Sequence, residues 1–183
     1  MYPLQLFIDR MAECKEPRIL ELGTKRSNPE VSTMHRNFVP HAKEFLGTDF
    51  QDGIDVDILA DVHHLYRDIS ATGREPDFDG IISCSTFEHI ARPWIAMQEL
   101  HKCLKTEGVL FVQTHNCFPI HAFPNDYWRF TREALRLLAE DAGFHVLETA
   151  YEFPAVIHSD RDPNTAKITD SAYLNVLLCA EKI

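Results

Sequence analysis

The chain has 183 residues, 45% of them apolar and 25% charged, with a formal net charge of −10. That length and apolar content suit a single domain over residues 1–183, able to bury a core without disulfides or a structural metal, and they exclude a disordered chain. The acidity and the lack of any basic run disfavour a grip on a phosphate backbone, so nucleic acid is not an expected partner. Cys14, Cys84, Cys103, Cys117 and Cys179 are odd in number and form no C-x-x-C pair, which reads as a reducing, cytoplasmic setting without a zinc knuckle. The opening MYPLQLFIDR carries charge where a signal peptide needs an apolar centre, and no apolar stretch reaches the length of a membrane span.

Leu4, Phe7, Ile8 and Met11 recur at helical spacing, so residues 3–13 are expected to form a short amphipathic helix, with a linker completing residues 1–16. RILEL (18–22) reads as a strand running into Gly23. The segment up to residue 42 has weak periodicity and two prolines, which promise a loop with a short or broken helix. Residues 44–50 and 56–60 are strand candidates, and a polar stretch separates them from a buried strand at 78–83. A helix follows, with Pro93 at its start and Trp94, Met97, Leu100 and Leu104 on one face; TEG (106–108) closes it before a strand at 109–114. Thr131 suits the N-cap of a helix that carries Leu135, Leu138 and Ala142 on one side and stops at Gly143. Strands at 144–153 and 173–180 finish the pattern around an acidic surface loop.

Unbroken apolar strands alternating with helices imply an α/β fold with a parallel sheet covered on both faces. Ligands of such sheets gather outside the strand carboxyl ends, which puts Gly23, Asp49, Asp61, the 85–89 segment, His115 and Asn116 on one rim. Gly23 allows close backbone approach, and Asp49 ends the second strand where a carboxylate can accept from ribose hydroxyls. Lys25 and Asn28 stand where a G-x-G-x-x-G pattern requires glycine, so a pyrophosphate cradle and a nicotinamide-dependent oxidoreductase are poorly supported. Lys25 or Arg26 can neutralise a carboxylate. Asp61 can accept a purine amine, with Val62 and Leu65 against the ring, or cap a short helical turn.

Taken together, ILELGTKR, FLGTDF, VDILADVHHL, FDGIISCSTFEHI, PWIAMQELHKCLKTEGVLFVQTH and DYWRFTREALRLLAEDAGF resemble the class I S-adenosylmethionine-dependent methyltransferases, nearest the type-11-like group, over residues 18–153. The resemblance implies a Rossmann-like three-layer sandwich with a mostly parallel seven-stranded sheet, its last strand antiparallel. It implies S-adenosyl-L-methionine as cofactor. It assigns Glu21, Gly23 and Thr24 to the first cofactor motif, Asp49 and Phe50 to the ribose side, Asp61 and Val62 to the adenine side, and Ser83 and Ser85 to the methionine moiety. Thr24-Lys25-Arg26 departs from the family, which usually places more glycines there.

Transfer to a hydroxyl needs a group that takes its proton. His89, beside Glu88, and His115, after the fifth strand, are the candidate catalytic bases. The aromatic stretch 115–130 is the expected acceptor-side loop, with His121, Tyr127 and Arg129 as pocket residues and Trp128 and Phe130 as a plug over the sheet end. The spacing of His115, His121 and Asp126 permits a metal, but nothing else in the sequence supports one, and no metal site is expected. The expected acceptor is a small or carrier-tethered molecule; the short N-terminal helix leaves the rim comparatively open, so either a large or tethered acceptor binds there or a second subunit, in a homodimer, supplies the lid. Other chemistry on the same cofactor, such as aminocarboxypropyl transfer or cyclisation, and a cofactor-binding accessory domain without turnover are the alternatives.

Overall fold

The computed structural model describes residues 1–25, 35–121, 125–157 and 168–183; Arg26, Asn28 and Phe123 lie outside the described residues. Its elements are α1 (Pro3–Glu13), β1 (Arg18–Leu22), β2 (Glu44–Asp49), β3 (Ile58–Leu59), α2 (Leu65–Ala71), β4 (Phe78–Cys84), α3 (Pro93–Cys103), β5 (Leu104–His115), α4 (Arg132–Asp141), β6 (Phe144–Ile157) and β7 (Ile168–Lys182). The strands form one seven-stranded sheet in the order β3-β2-β1-β4-β5-β7-β6, with β1 to β5 parallel and β7 antiparallel to both its neighbours. This is the Rossmann-like three-layer sandwich that the resemblance implies.

Strand periodicity explains the layers. Successive side chains point to opposite faces, so Ile81, Leu110, Val112 and Leu178 join the core under α2, α3 and α4, while Ile82, Val109, Phe111 and Leu177 join the core under α1. Phe7 and Met11 bring α1 down onto Gly80, where an added Cβ would stand 2.7 Å from Met11 Sδ. At α4, Thr131 Oγ1 accepts from the Ala134 N–H at 3.1 Å, Leu135 and Ala139 are buried, and Gly143 leaves the helix at φ +96°. Among the described residues no helix is long and apolar enough to cross a membrane.

Several sequence expectations need correction. The polar stretch after β3 contains α2, whose buried contribution is only Leu65 and Ile69, too short a run for a clear period. β3 is shorter than residues 56–60. Leu104 pairs with Phe78 as the first residue of β5, so TEG lies inside the strand, with Glu107 at φ +66° where the register shifts. Trp94 is 48% exposed, because α3 buries Ala96, Met97, Leu100 and Cys103, and the indole meets Trp128 edge-on instead. β6 and β7 run on past the expected loop boundaries and pair as far as Ile157 and Ile168; residues 158–167 lie outside the described residues. Among the described residues, the short helical piece expected before residue 42 is the 3-10 turn His35–Phe38.

The chain reverses direction of strand order between β1 and β4, and the turns leaving these two strands touch. Gly23 takes φ +80° and donates to Thr48 O at 2.8 Å; a Cβ there would lie 2.1 Å from Thr86 Oγ1. Thr86 cannot retreat without losing its hydroxyl contacts to Cys84 O and Leu22 O, at 3.0 and 3.3 Å. Gly23→Ala therefore adds both left-handed strain and a steric clash, and we expect it to cost roughly 2 kcal/mol or more of unfolding free energy. Thr86→Ala in the same chain should restore part of that loss, since it removes two of the three close atoms. Urea denaturation of the single and double variants measures the coupling.

Candidate cofactor and acceptor site

A cleft of about 1290 Å³ opens outside the carboxyl ends of β1, β2, β3 and β4, where the strand order reverses. Gly23, Asp49, Phe50, Asp61, Val62 and Ser85 line it, and so do His89, His121 and Tyr127 at the other end. Gly23, Asp49, Asp61, Ser85 and His89 converge there as the sequence topology implies, each following a parallel strand.

At the β2 side, the Asp49 carboxylate is held by the peptide N–H groups of Lys25 (3.1 Å) and Gln51 (3.0 Å). Each carboxylate oxygen keeps a further lone pair for a hydroxyl in the cleft. Lys25 Nζ donates to Gln51 Oε1 at 2.7 Å, which closes the turn over Asp49. Phe50 and Leu59 stay 54% and 61% exposed although both are large and apolar, and they offer the cleft two surfaces for a flat ring. Asp61 accepts from both the N–H and Nδ1 of His63. Burial raises its pKa, but the two His63 hydrogen bonds and the His63 and His64 rings outweigh it, so the carboxyl sits below the ordinary range. Ser85, at φ +49°, donates its N–H to Gln113 O at 2.9 Å and leaves its side chain exposed to the cleft.

The far end is built around Glu88, in the 3-10 turn Phe87–His89, which is fully buried. Thr114 Oγ1 donates to its Oε2 at 2.7 Å, and the Tyr127 and Trp128 N–H groups donate to its main-chain oxygen at 2.8 and 3.3 Å. Among the described residues Oε1 makes no hydrogen bond; it faces Nε2 of His115 at 3.1 Å and Nε2 of His89 at 3.7 Å. His115 is buried, stacked 4.0 Å from Phe118, and its Nδ1 meets Asn175 Oδ1 at 3.0 Å across the β5–β7 pair. The His89 and His121 rings meet edge-on at 4.9 Å, and His115 and His121 at 5.2 Å.

Not every expected residue reaches the cleft. Glu21, Thr24 and Ser83 are buried beneath it; Glu21 is paired with the N–H and ring of His35, and among the described residues neither Thr24 Oγ1 nor Ser83 Oγ has a hydrogen-bond partner. Arg129 does not line the cleft, because its guanidinium is clamped by Asp126 and by the Phe118 and Pro119 carbonyls. It is the pin of the loop, not a pocket wall. Trp128 donates Nε1–H to Ile90 O and Phe130 is buried edge-on to Phe87, as a plug requires. Sequence reading missed His63 and Ile90 in the cleft wall, and it missed that Glu88 joins His115 and His121 in the place where Asp126 was considered. Asp126 is taken by Arg129 and the His121 N–H.

A family model described as a methyltransferase domain matches residues 2–149. The chain belongs to that methyltransferase-domain family. No curated protein matches it significantly in sequence. Solved structures match its fold over 98% of the chain. A Mesorhizobium loti S-adenosylmethionine-dependent methyltransferase superposes with a TM-score of 0.65 at 17% identity, 95% of its own length being covered. A Haloferax volcanii methyltransferase, described as putative and seen in complex with the Trm112 activator, gives 0.63 at 15% identity and 87% coverage. The Burkholderia thailandensis 1,6-didemethyltoxoflavin-N1-methyltransferase gives 0.63 at 12% identity and 78% coverage. At these identities the likeness speaks for the class I methyltransferase fold alone.

In this methyltransferase domain the loop after β5 is pinned through one carboxylate. The Arg129 guanidinium holds the Asp126 carboxyl far below the usual carboxylate range, against burial, with help from the His121 N–H. Because the folded-state value is depressed, the pair contributes its full stability above about pH 4, the ordinary carboxylate value, and loses it as the pH falls toward the folded value. Thermal unfolding followed from pH 7 to pH 2 should show an acid limb that is shallower in Asp126→Asn than in the unsubstituted protein.

Proposed function

We propose that the chain is an S-adenosyl-L-methionine-dependent methyltransferase acting on a hydroxyl of a small or carrier-tethered acceptor, with a second copy of the chain as the other means of closing the open rim. The observation that carries this reading is a single cleft with a ribose-type carboxylate at one end and cleft-lining imidazoles at the other. Its five cysteines are all unpaired among the described residues, in keeping with a reducing cytoplasm.

The donor set fits the cofactor. Asp49 would hold the ribose hydroxyls, Phe50, Leu59 and Val62 would flank the adenine, and Asp61 with the Val62 peptide would meet its polar edge. Gly23 and Ser85 would lie against the methionine portion, where the chain passes close without side-chain bulk at residue 23. Glu21, Thr24 and Ser83 would support these turns from below rather than touch the ligand. When bound, the cofactor supplies a methyl group on a positively charged sulfur that departs as a neutral thioether.

The protein's own task is then alignment, exclusion of water and proton removal. His89 is the better-placed base: its Nδ1 lies 2.6 Å from the Asn125 carbonyl, which can only accept, so the ring proton sits on Nδ1 and the Nε2 lone pair is free. Glu88 and His115 stand behind it, and His115, being buried, acts through its neighbours. His121 and Tyr127 line the acceptor end, with Arg129 fixing the loop that carries them.

Two variants test the two ends separately. Asp49→Ala should weaken S-adenosylhomocysteine binding by about 1.5–3 kcal/mol, the value of a hydrogen bond to a charged group, and calorimetry finding unchanged affinity in a folded variant would reject the ribose contact. His89→Ala should lower turnover on the order of 100-fold while leaving that calorimetric affinity intact. Product analysis completes the test: S-adenosylhomocysteine accompanies methyl transfer, whereas methylthioadenosine would mean aminocarboxypropyl chemistry.

A further inference from the structure

Three imidazoles around Glu88 share one feature. His89 Nδ1 lies 2.6 Å from Asn125 O, His121 Nδ1 lies 3.2 Å from Pro119 O, and His115 Nδ1 lies 3.0 Å from Asn175 Oδ1. A carbonyl oxygen only accepts, so each ring places an N–H at Nδ1 and turns Nε2 elsewhere, where it can take a proton or a metal ion. For His115 that nitrogen faces a carboxylate oxygen at 3.1 Å. A buried imidazole nitrogen and a buried carboxylate oxygen at this distance call for a positive charge between them, a proton or a metal ion. Among the described residues Glu88 Oε1 makes no hydrogen bond, although the side chain is fully buried. A Nδ1–H held by an oxygen acceptor, with Nε2 left for ligation, is the second-shell arrangement of metal-bound histidine.

We propose that Glu88, His115 and His121 form a site for one divalent first-row transition-metal ion at the acceptor end of the cleft. One donor atom from each lies within 4.8 Å of the others, the only such histidine–carboxylate group among the described residues. Donors around a tetrahedral ion stand ~3.4 Å apart for bonds near 2.1 Å. The Glu88–His115 edge already has that size, and His121, whose side chain is 29% exposed, supplies the third corner within 4.8 Å. Two imidazoles and one carboxylate favour zinc, manganese, iron or cobalt over magnesium or calcium, which prefer oxygen. Three protein ligands leave one position open, and His121 puts that position at the cleft wall.

The metal's use rests on the methyl-transfer reading above; its binding does not. An acceptor hydroxyl bound at the open position becomes more acidic, and its proton passes to His89 Nε2. The oxygen then forms its bond to the methyl carbon as the carbon–sulfur bond breaks, and the electron pair stays on the neutral sulfide. The same ligands explain why an otherwise costly buried carboxylate stands beneath the loop.

The test uses untagged full-length protein, stripped with chelator and titrated with cobalt(II) alone. We expect one equivalent to bind and to produce visible d–d absorption. Glu88→Gln keeps the side-chain volume, and His121→Ala lies at a half-exposed position, so both should fold by circular dichroism. Each should weaken cobalt binding at least 10-fold and remove the absorption, while His145→Ala, an exposed histidine outside the cluster, leaves both unchanged. No cobalt binding by the folded unsubstituted protein, or equal affinity in His121→Ala, overturns the site. Calorimetry with S-adenosylhomocysteine on the same samples separates the two claims: cofactor binding without cobalt rejects the metal site alone, and cobalt binding without cofactor supports the metal site while rejecting the methyltransferase reading.

Discussion

The meeting of two strand exits governs this molecule. β1 and β4 are hydrogen-bonded neighbours, yet the chain must leave them toward different layers, and at their carboxyl ends the turns compete for the same space. Gly23 and Thr86 resolve the competition by contact: one residue gives up its side chain and takes φ +80°, the other spends its hydroxyl on the two strand-end carbonyls. Ser85 accepts a left-handed conformation beside it. The crevice therefore begins at a place where backbone strain is already held by hydrogen bonds.

From that point the two ends of the cleft are made of different materials. The β2 side is ordered by peptide groups: Lys25 and Gln51 N–H fix Asp49, and Asp61 is fixed by the turn it caps. The β5 side is ordered by side chains, because the 115–130 loop has little regular structure and must be tied to something rigid. Glu88 does this with its main-chain oxygen toward Tyr127 and Trp128 and with its carboxylate toward Thr114. Asp126 and Arg129 then pin the loop to itself. Burial pushes the thiols of Cys103 and Cys179 up to about 12, which leaves them as packing groups.

The strands and the end helices were legible in the sequence because their apolar residues repeat with a clean period: Phe7 and Met11 in α1, Leu135 in α4, Val109 to Val112 in β5. The rim residues were legible for a topological reason, since a residue following a parallel strand must lie at one edge. What escaped reading depends on tertiary partners. Leu65 and Ile69 make α2 only because the core under α3 receives them. Leu104 looks like the end of a helical stripe, and its pairing with Phe78 decides otherwise. Arg129 and Asp126 are three residues apart and oppositely charged, but nothing in the sequence says that they satisfy each other rather than a ligand. The same ambiguity hid the role of Glu88, whose neighbours in the chain do not include His115 or His121.

His89 and His115 stand close together near Glu88, and the distances set them apart. His115 Nε2 lies within hydrogen-bond range of Glu88 Oε1, whereas His89 Nε2 stands 3.7 Å away, too far to be engaged by the same oxygen. His115 is sealed beneath Phe118, and His89 opens onto the cleft. A buried imidazole cannot exchange a proton with an acceptor that it does not touch, and an imidazole on the wall can. Depth thus separates His115 from His89, and depth follows from chain position: His115 ends a central strand paired on both sides, while His89 leaves a 3-10 turn at the mouth of the crevice.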